Sequence, residues 1–335
     1  MPRTFVAMSD TRLPLLQARP AAGAFAASPD TIAALYALAA ATQCAPSTFC
    51  LLFESGIDPS AVLDDPQLLP EEGQRGDALR EAIRSLTSDV LSHCHQAAIH
   101  QLRWAEELSA RILTYASLEY PPALFGTDYA VPVLYARGNA ELLAGGRRVA
   151  CIGSRRIRNP YRGLHDQFCA IAVRNDAAIV SGFALGADTV GHRRALEDGG
   201  RTICVMPKGL DGPFPPENEP LWNELLSYPG ALFFSEYPFG APSSARTLRR
   251  RNRLITGLAH ALLVSQSAAT GGAMHAFRVA VHQKKPVATF AADGATDTAG
   301  NTLIAAHRSD PEVFGLGADS RAEFGRWLGG LFHSA

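Results

Sequence analysis

Short apolar segments alternate with helix-forming segments through residues 149–291, and this alternation constrains the fold more than any other feature. Continuous apolar runs indicate strands that are buried on both faces, and helical segments between them indicate crossover connections. The pattern predicts strands at 149–154, 178–182, 202–207, 231–235, 261–266 and 286–291. It predicts helices near 160–174, 187–197, 217–227, 250–259 and 273–283. We therefore expect an α/β fold with a doubly wound, mostly parallel sheet.

The region before this alternation has the pattern of a small all-α module. Ser28 followed by Pro29 is a favourable helix start. Short helices are predicted at 47–54 and 59–63 and a longer helical region at 77–110, whereas residues 1–27 are expected to be loose. A connector over 112–138 carries a predicted strand at 133–136. The sequence thus predicts a helical module at 1–110, a main domain at 111–305 and a short C-terminal tail at 306–335.

Composition restricts the function classes. The apolar share is 47% and the net charge is −1, so a nucleic-acid site has to be a local basic patch. The six cysteines are scattered without a Cys-x-x-Cys pair, and no leader or membrane span is predicted. We expect a reduced, cytoplasmic protein without a metal or cofactor; adjacent residues on a helix face different ways, which argues against a metal at His93-Cys94-His95.

Small-residue turns follow the first two predicted strands of the main domain. Gly153 and Ser154 end the first strand, and Ser181, Gly182 and Gly186 follow the second. Such turns let backbone amides approach a ligand, and the helix starts that follow favour anions. Arg155 adds a full positive charge, so the pattern favours a phosphate site. The alternative is that these glycines only turn the chain.

Two further segments have phosphate-binding character. Residues 246–253 carry five arginines and no acid at a helix start, among them Arg250, Arg251 and Arg253. Arginine binds phosphate bidentately, although a solvated basic face is the alternative. As surface side chains, Arg249, Arg250 and Arg251 are expected to contribute little to stability. The second of these segments is a loop at 267–272, which again has small residues before a helix.

These loops are expected to meet at one edge of the sheet. In a doubly wound sheet the crevice forms where strand order reverses, commonly between the first and fourth strands. The loops after the first, second, fourth and fifth strands would then border one basin.

Catalytic groups are not evident. Glu236 could act as an acid or base or could pair with the nearby arginines. Asp188 and His192 lie four residues apart on a helix and could hydrogen-bond each other. Nucleophile-elbow, Walker and Gly-x-Gly-x-x-Gly motifs are not found, so we assign no catalytic residue.

The ordered motifs of residues 119–304 resemble those of the DprA/Smf DNA-processing proteins. The resemblance rests on these segments: Tyr120-Pro121, Gly153-Ser154-Arg155, Ser181-Gly182, Gly186, Asp188, His192, Gly209-Leu210-Asp211, Pro215 to Asn218, Ser235 to Pro238, Arg250-Arg251-Asn252-Arg253, and Gly300-Asn301. It implies a Rossmann-like domain that binds single-stranded DNA, forms a homodimer and assists RecA loading, without enzymatic turnover. The N-terminal helices resemble the sterile-alpha-motif-like module of that family.

The resemblance also implies which residues touch the strand. They are Gly153, Ser154, Arg155, Ser181, Gly182, Gly186, Asp188, Arg250, Arg251, Asn252, Arg253, Thr270, Gly271 and Gly272. The sequence departs from the family pattern at Leu185, where a basic residue is usual, and at Leu248-Arg249, where Phe-Pro is usual. Two other hypotheses stay open: a phosphoribohydrolase-like nucleotide enzyme of the same fold, and a divergent relative in mobile-element or phage-defence biology.

Overall fold

The computed structural model describes residues 27–42, 45–69 and 74–333. Its centre is a nine-stranded sheet with the order β1-β2-β6-β5-β4-β3-β7-β8-β9. The strands are β1 Ala110–Thr114, β2 Val133–Gly138, β3 Arg147–Ile152, β4 Ala177–Ser181, β5 Thr202–Val205, β6 Ala231–Ser235, β7 Ala261–Val264, β8 Val287–Phe290 and β9 Glu312–Phe314. Strands β3 to β9 pair in parallel, whereas β1 and β2 are antiparallel additions beside β6.

The predicted α/β alternation is confirmed. The helices of the main domain are α6 Tyr161–Arg174, α7 Ala187–Glu197, α8 Glu219–Leu226, α9 Ala245–Arg250, α10 Asn252–Leu258, α11 Gly272–His282, α12 Ala299–Ala305 and α13 Ser320–His333. Nearly every residue of β3 to β8 is buried, because helices cover both faces of the sheet. Since these strands are parallel, the loops after Ile152, Val180, Phe234 and Val264 lie at one edge, as predicted.

The reversal of strand order differs from the prediction. β3 lies between β4 and β7, so the switch point separates the first and fifth strands of the predicted series. The fourth strand, β6, instead continues the first half of the sheet, pairing in parallel with β5. Its other edge is closed by antiparallel β2, which leaves no place for β6 beside β3.

The N-terminal helices are α1 Pro29–Ala41, α2 Ser47–Glu54, α3 Pro59–Asp64, α4 Gln74–Ser85 and α5 Ser88–Glu107. The Ser28 hydroxyl caps α1 by accepting from Thr31 N–H at 3.1 Å. The helical region predicted over 77–110 consists of two helices, α4 and α5, because Thr87 adopts an extended conformation and caps α5. Strand β1 follows α5 and was missed. Residues 1–27 were expected to be loose; all of them except Ala27 lie outside the described residues.

These helices share an apolar core with the sheet rather than forming a separate one. One continuous cluster joins Ile32 and Phe53 of the helices to Phe233 of β6. The Gln101 side chain, on α5, exchanges two hydrogen bonds with the backbone of Phe239, at 3.1 and 2.8 Å. The Tyr36 and Tyr135 hydroxyls are 2.5 Å apart. These contacts fix the helical module on the β6 side of the sheet.

Residues 306–335, assigned from sequence to a short tail, add β9 and α13. Phe314 and Phe324 are buried against Phe168 of α6, in a second apolar cluster on the other face of the sheet. No helix in the described ranges is both long and apolar enough to span a membrane. Nor do the described histidine, cysteine and acidic side chains form a group of three that could hold a metal ion.

Candidate functional site

A cavity of about 360 Å³ opens at the switch point, where the loops after β3 and β7 diverge. Its walls come from the loops after β3, β4 and β7 and from the helices α9, α10 and α11. The lining residues are Ile152, Gly153, Ser154, Arg155, Ala184, Asp188, Ala245, Leu248, Arg249, Arg251, Asn252, Ile255, Ser267, Ala268, Thr270, Gly272, Ala273 and Ala276.

A larger cavity of about 560 Å³ lies at the opposite edge, beside the amino ends of β4 and β5. Among its lining residues, Arg201 is already paired with Asp176 at 2.6 Å. Ligands of open α/β sheets bind at the carboxyl ends of the strands, near the switch point. We therefore place the candidate site in the smaller cavity.

The loop after β3 is held tightly against the start of α7. The Ser154 carbonyl accepts from Ala187 N–H at 3.1 Å, and its hydroxyl accepts from Arg156 N–H at 3.0 Å. A side chain at Gly186, which has a φ of 81°, would place its Cβ 2.3 Å from the Ser154 carbonyl oxygen. Glycine at 186 therefore lets the two loops touch and leaves Arg155 exposed at the cavity mouth.

Asp188 organises the loop after β4. Its buried carboxylate accepts from the Gly182 and Ala184 N–H groups at 3.1 and 3.2 Å. Burial raises the pKa of Asp188, and the positive charge of Arg251 opposes that rise. The hydrogen bond considered between Asp188 and His192 does not form, because His192 Nδ1 lies 2.7 Å from the Thr202 hydroxyl instead.

Arg251 is a buried structural residue with 5% exposure. Its Nη1 donates to the carbonyls of Gly182 and Val205, each at 2.5 Å, which ties α10 to the ends of β4 and β5. Burial lowers the pKa of Arg251 to about 10. The expectation that Arg249, Arg250 and Arg251 together contribute little to stability is therefore wrong for Arg251, because its charge is desolvated and hydrogen-bonded.

Arg250 and Arg253 are paired with Glu236, whose side chain is only 3% exposed. Arg253 binds both carboxylate oxygens, at 2.5 and 2.8 Å, and Arg250 Nε lies 3.1 Å from the second oxygen. Of the two roles considered for Glu236, the structure supports the ion pair. None of these three residues lines the cavity.

Arg155 and Arg249 are the cavity's exposed cations. Within the described part of the chain, neither has an ion-pair partner, in contrast to Arg250 and Arg253. Arg155 is close enough to Arg251 for their like charges to contribute to the lowered pKa of Arg251. The two exposed arginines thus remain available for an anionic ligand.

The loop after β7 is fixed by Asn301. This buried side chain accepts from Ser267 N–H at 2.9 Å and donates to the Ser265 carbonyl at 2.7 Å. Asn252 Nδ2 donates to the Gly272 carbonyl at 3.2 Å, which connects this loop to α10. Helix α11 begins at Gly272 without a side-chain cap, so its first N–H groups face the cavity region uncapped.

The two buried histidines near the site are neutral. Burial lowers the pKa of His165 to about 4. Burial, together with the positive charge of Arg251, lowers the pKa of His192 to about 3. His165 Nε2 lies 2.9 Å from the Ala187 carbonyl, so it supports the start of α7. Both side chains are fully buried, which suits a structural role.

The structure brings many of the predicted site residues together. The cavity is lined by Gly153, Ser154, Arg155, Asp188, Arg251, Asn252, Thr270 and Gly272. The lining does not include Ser181, Gly182, Gly186, Arg250, Arg253 or Gly271. Gly182 and Gly186 instead make the close packing that shapes the wall.

Sequence reasoning left several lining residues out of the site. Of these, Ala245, Leu248 and Arg249 follow the three- and four-residue spacing of one helical face, which continues to the predicted Asn252. That spacing was the available signal for Arg249. Ser267 and Ala184 lie in loops that were predicted to border the site, but which residues of a loop reach the cavity depends on how that loop folds.

A family model described as DNA recombination-mediator protein A matches residues 111–309. Protein Smf of Escherichia coli is 32% identical over 214 residues, covering 64% of this chain and 55% of that protein. DNA processing protein DprA of Streptococcus pneumoniae is 33% identical over 156 residues, covering 44% of this chain and 51% of that protein. The chain spans about half the length of the curated relatives it matches.

Two solved structures share the fold. DNA processing protein A of Streptococcus pneumoniae aligns with a TM-score of 0.64 and 24% identity, covering 86% of this chain and 96% of that one. DNA processing protein A of Helicobacter pylori, a structure described for its mode of binding single-stranded DNA, aligns with a TM-score of 0.57 and 24% identity. That alignment covers 68% of this chain and 97% of the other.

Proposed function

Because the chain belongs to the DNA recombination-mediator protein A family, also called DprA/Smf, we propose that it binds single-stranded DNA at the switch-point cavity. The phosphates of the strand lie at the cavity mouth, against Arg155 and Arg249. The uncapped start of α11 adds partial positive charge beside them.

One observation carries this proposal. Of the described arginines around the site, Arg250, Arg251 and Arg253 have acidic or carbonyl partners, whereas the two exposed arginines that line the cavity have no acidic partner. An arginine without an ion pair can neutralise a phosphate without first breaking a protein contact. Because Arg250, Arg251 and Arg253 are held by protein partners, the run is not simply a solvated basic face.

A catalytic role has less support. Asp188 is the cavity's one acidic residue among the described lining residues, and its carboxylate already accepts two backbone N–H groups. Glu236 is occupied by two arginines, and both histidines are buried. The phosphoribohydrolase alternative needs a carboxylate near the loop at 270–272, and the sequence has none there. We propose a binding protein rather than an enzyme.

The test is fluorescence anisotropy with labelled oligo-dT over a range of salt concentrations, beside a duplex of equal length. Binding should weaken steeply with salt, because each neutralised phosphate of a single strand contributes roughly 0.7 to the log–log slope. Arg155→Ala and Arg249→Ala should each weaken binding by about 1–3 kcal/mol and lower the slope by about 0.7.

The control variant is Arg174→Ala. Arg174 is an exposed arginine at the opposite edge of the sheet, where it lines the larger cavity. Arg174→Ala changes the net charge by the same amount as Arg155→Ala, but it should leave the affinity for oligo-dT nearly unchanged. Equal losses for Arg174→Ala and Arg155→Ala would mean that binding follows overall charge rather than this site. A slope near zero in the parent protein would reject strand binding.

We also propose the domain division at 110/111, a homodimer, and assistance in RecA loading during DNA uptake or recombination. The family membership supports the last two, and the transition from α5 into β1 supports the boundary. Residues 306–333 belong with the main domain, because β9 pairs with β8 in the same sheet. A role in mobile-element or phage-defence biology is the alternative that the departures at Leu185 and Leu248-Arg249 keep open.

A further inference from the structure

We propose that Arg148, His260 and Lys285 form a second anion site, at the amino edge of the sheet, which binds one dianionic phosphate group. This edge is opposite the switch-point cavity, so the site is separate from the one assigned to strand binding. Arg148 lies in β3, His260 directly precedes β7, and Lys285 lies two residues before β8. Because β3, β7 and β8 are neighbours in the sheet, the three residues start from adjacent positions.

Arg148 is a buried cation with an unused hydrogen-bond donor. The residue is 4% exposed, and its Nη1 donates to the Leu142 and Leu143 carbonyls at 3.2 Å each. Its Nε is buried and has no hydrogen-bond partner among the described residues. Burial lowers the pKa of the guanidinium, and no carboxylate in the described part of the chain opposes that effect. A buried charge without a counterion is costly, so Arg148 favours an anion beside it.

His260 and Lys285 add donors and positive charge at the same place. His260 Nδ1 lies 3.3 Å from both the backbone nitrogen and the carbonyl oxygen of Arg148, whereas Nε2 makes no hydrogen bond to the described residues. Burial lowers the pKa of His260, and the charges of Arg148 and Lys285 lower it further. The pKa of Lys285 is also lowered, by burial and by the charge of Arg148. A shared anion would relieve the repulsion among the three groups.

The alternative is that these cations only cap helix ends. The carbonyls that Arg148 contacts belong to the short 3₁₀ helix Ala140–Leu143, and Lys285 Nζ donates to the Gly257 carbonyl of α10 at 3.5 Å. The carboxyl ends of helices favour cations. Capping accounts for Arg148 Nη1 and for Lys285, but it leaves the buried Nε of Arg148 unpaired. The unpaired donor therefore favours an external anion.

Arg147 and Phe332 border the cluster. The Arg147 guanidinium lies 5.3 Å from the centroid of the Phe332 ring, and the edge of that ring meets His260 with centroids 5.6 Å apart. Arg147 is exposed and adds a further positive charge. The aromatic ring covers one side of His260, and hydrogen bonds to charged groups are stronger where water is partly excluded.

The charge of the cluster favours a phosphomonoester over a phosphodiester. A monoester carries roughly −1.5 to −2 charges at pH 7, whereas each phosphodiester of a strand carries one. Coulomb energy scales with the charge, so the monoester gains more from the three cations. Inorganic phosphate and a nucleoside monophosphate share this dianionic group, and the test separates these two sources.

The test follows the imidazole NMR signals of His260, assigned with His260→Gln, while inorganic phosphate is added at pH 7.5 and constant ionic strength. A saturable shift is expected. Thymidine should give no shift, and dimethyl phosphate should bind several-fold more weakly than inorganic phosphate. Titration with dTMP identifies the source: affinity equal to that of phosphate assigns the site to free phosphate, and tighter binding assigns it to a nucleotide.

Lys285→Met locates the site, because it removes the charge and keeps an apolar stem. It should raise the dissociation constant for phosphate about tenfold. Lys284→Met, at the exposed lysine next to it, is the charge-matched control and should change the constant by less than about twofold. Arg155→Ala, at the switch-point cavity, should also change it by less than about twofold. Thermal unfolding confirms that each variant is folded.

His260 signals that do not respond to phosphate, or that respond equally to thymidine, would overturn the proposal. Equal affinity for dimethyl phosphate would overturn the preference for a dianion. Equal weakening by Lys285→Met and Lys284→Met would show a general charge effect, and loss of the shift in Arg155→Ala would move the anion to the switch-point cavity; either result rejects this site. Oligo-dT binding should be unchanged in Lys285→Met, so failure of the parent to bind oligo-dT rejects only the proposed function.

Discussion

Gly182 packs so closely against the Arg251 guanidinium that position 182 has no room for a side chain. A Cβ at position 182 would lie 2.1 Å from Arg251 Nη1 and 2.2 Å from its Cζ. Gly182→Ala should therefore displace the buried guanidinium and break its bonds to the two carbonyls. We expect a loss of about 2–4 kcal/mol in the free energy of unfolding, measured by urea denaturation.

Gly272→Ala is the control for this variant. A Cβ at position 272 meets nothing within 4 Å, and the residue begins a helix where alanine is favourable. Its free energy of unfolding should change by less than about 0.5 kcal/mol. If Gly182→Ala were equally harmless, Arg251 would not be fixed by this contact.

His192 should make the protein sensitive to mild acid. Thr202 Oγ1 donates to the Ile179 carbonyl at 2.9 Å, so His192 Nδ1 donates to Thr202. The buried Nε2 has no hydrogen-bond partner among the described residues. The folded pKa of about 3 lies below the unfolded value of about 6.5. Below pH 6.5 the unfolded chain takes up a proton that the folded chain refuses, so stability falls as pH falls toward 3.

The measurement is the free energy of unfolding at pH 7 and pH 5.5 for the parent and for His192→Gln. The histidine should account for about 1.3 kcal/mol of the parent's loss over this range, which the variant should not show. The absolute stability of the variant is not the readout. An identical pH dependence in both proteins would mean that His192 is protonated in the folded chain at pH 5.5 as readily as in the unfolded chain.

Residue identity alone could not sort the arginines into their roles. The run at 246–253 shows where positive charge is concentrated, but Arg251 and Arg249 differ only in their neighbours. Arg251 donates to backbone carbonyls at the ends of β4 and β5, whereas Arg249 is exposed to solvent. That difference arises from packing between segments some 45–70 residues apart, which a local pattern does not contain.

At the scale of elements, the ion pair between Glu236 and Arg253 joins the end of β6 to α10. Arg253 is 17% exposed, so removal of the carboxylate charge leaves a cation that water can hardly reach. Glu236→Gln should lower the free energy of unfolding by about 2–4 kcal/mol in urea denaturation. It should also weaken strand binding, because Arg249 projects from the same helix pair.

The control is Glu119→Gln, which breaks the exposed pair between Glu119 and Arg111. Surface ion pairs contribute about 0–1 kcal/mol, so its effect should be small. Similar stability in the two variants would show that the Glu236 pair is solvated, contrary to its burial.

Element positions were predictable because each depends on local periodicity. The helix at 187–197 and the strand at 231–235 match the structure at both ends. The order of the strands was harder to predict from the sequence. Which strand pairs with β3 depends on which connection crosses over to the other half of the sheet, and local periodicity does not contain that information. Strand β1 was missed because its pairing with β2 depends on the connector folding back.

At the scale of the whole molecule, the described helical module and the sheet should unfold together. Their apolar cluster is continuous, and Trp104 of α5 packs on Phe239 with ring centroids 6.0 Å apart. Calorimetry should give one transition whose calorimetric and van't Hoff enthalpies agree. Two resolved transitions would mean that the module is an independent folding unit.

The cavity wall draws on residues from Ile152 to Ala276, and Asn301 fixes one of its loops from further along the chain. No contiguous fragment shorter than this span contains the complete site. During synthesis, a ribosome-bound chain would expose Arg155 and Arg249 well before it could present the finished cavity. Under the proposed function, strand binding would then begin only after synthesis passes Asn301, so incomplete chains would compete little with finished ones for DNA.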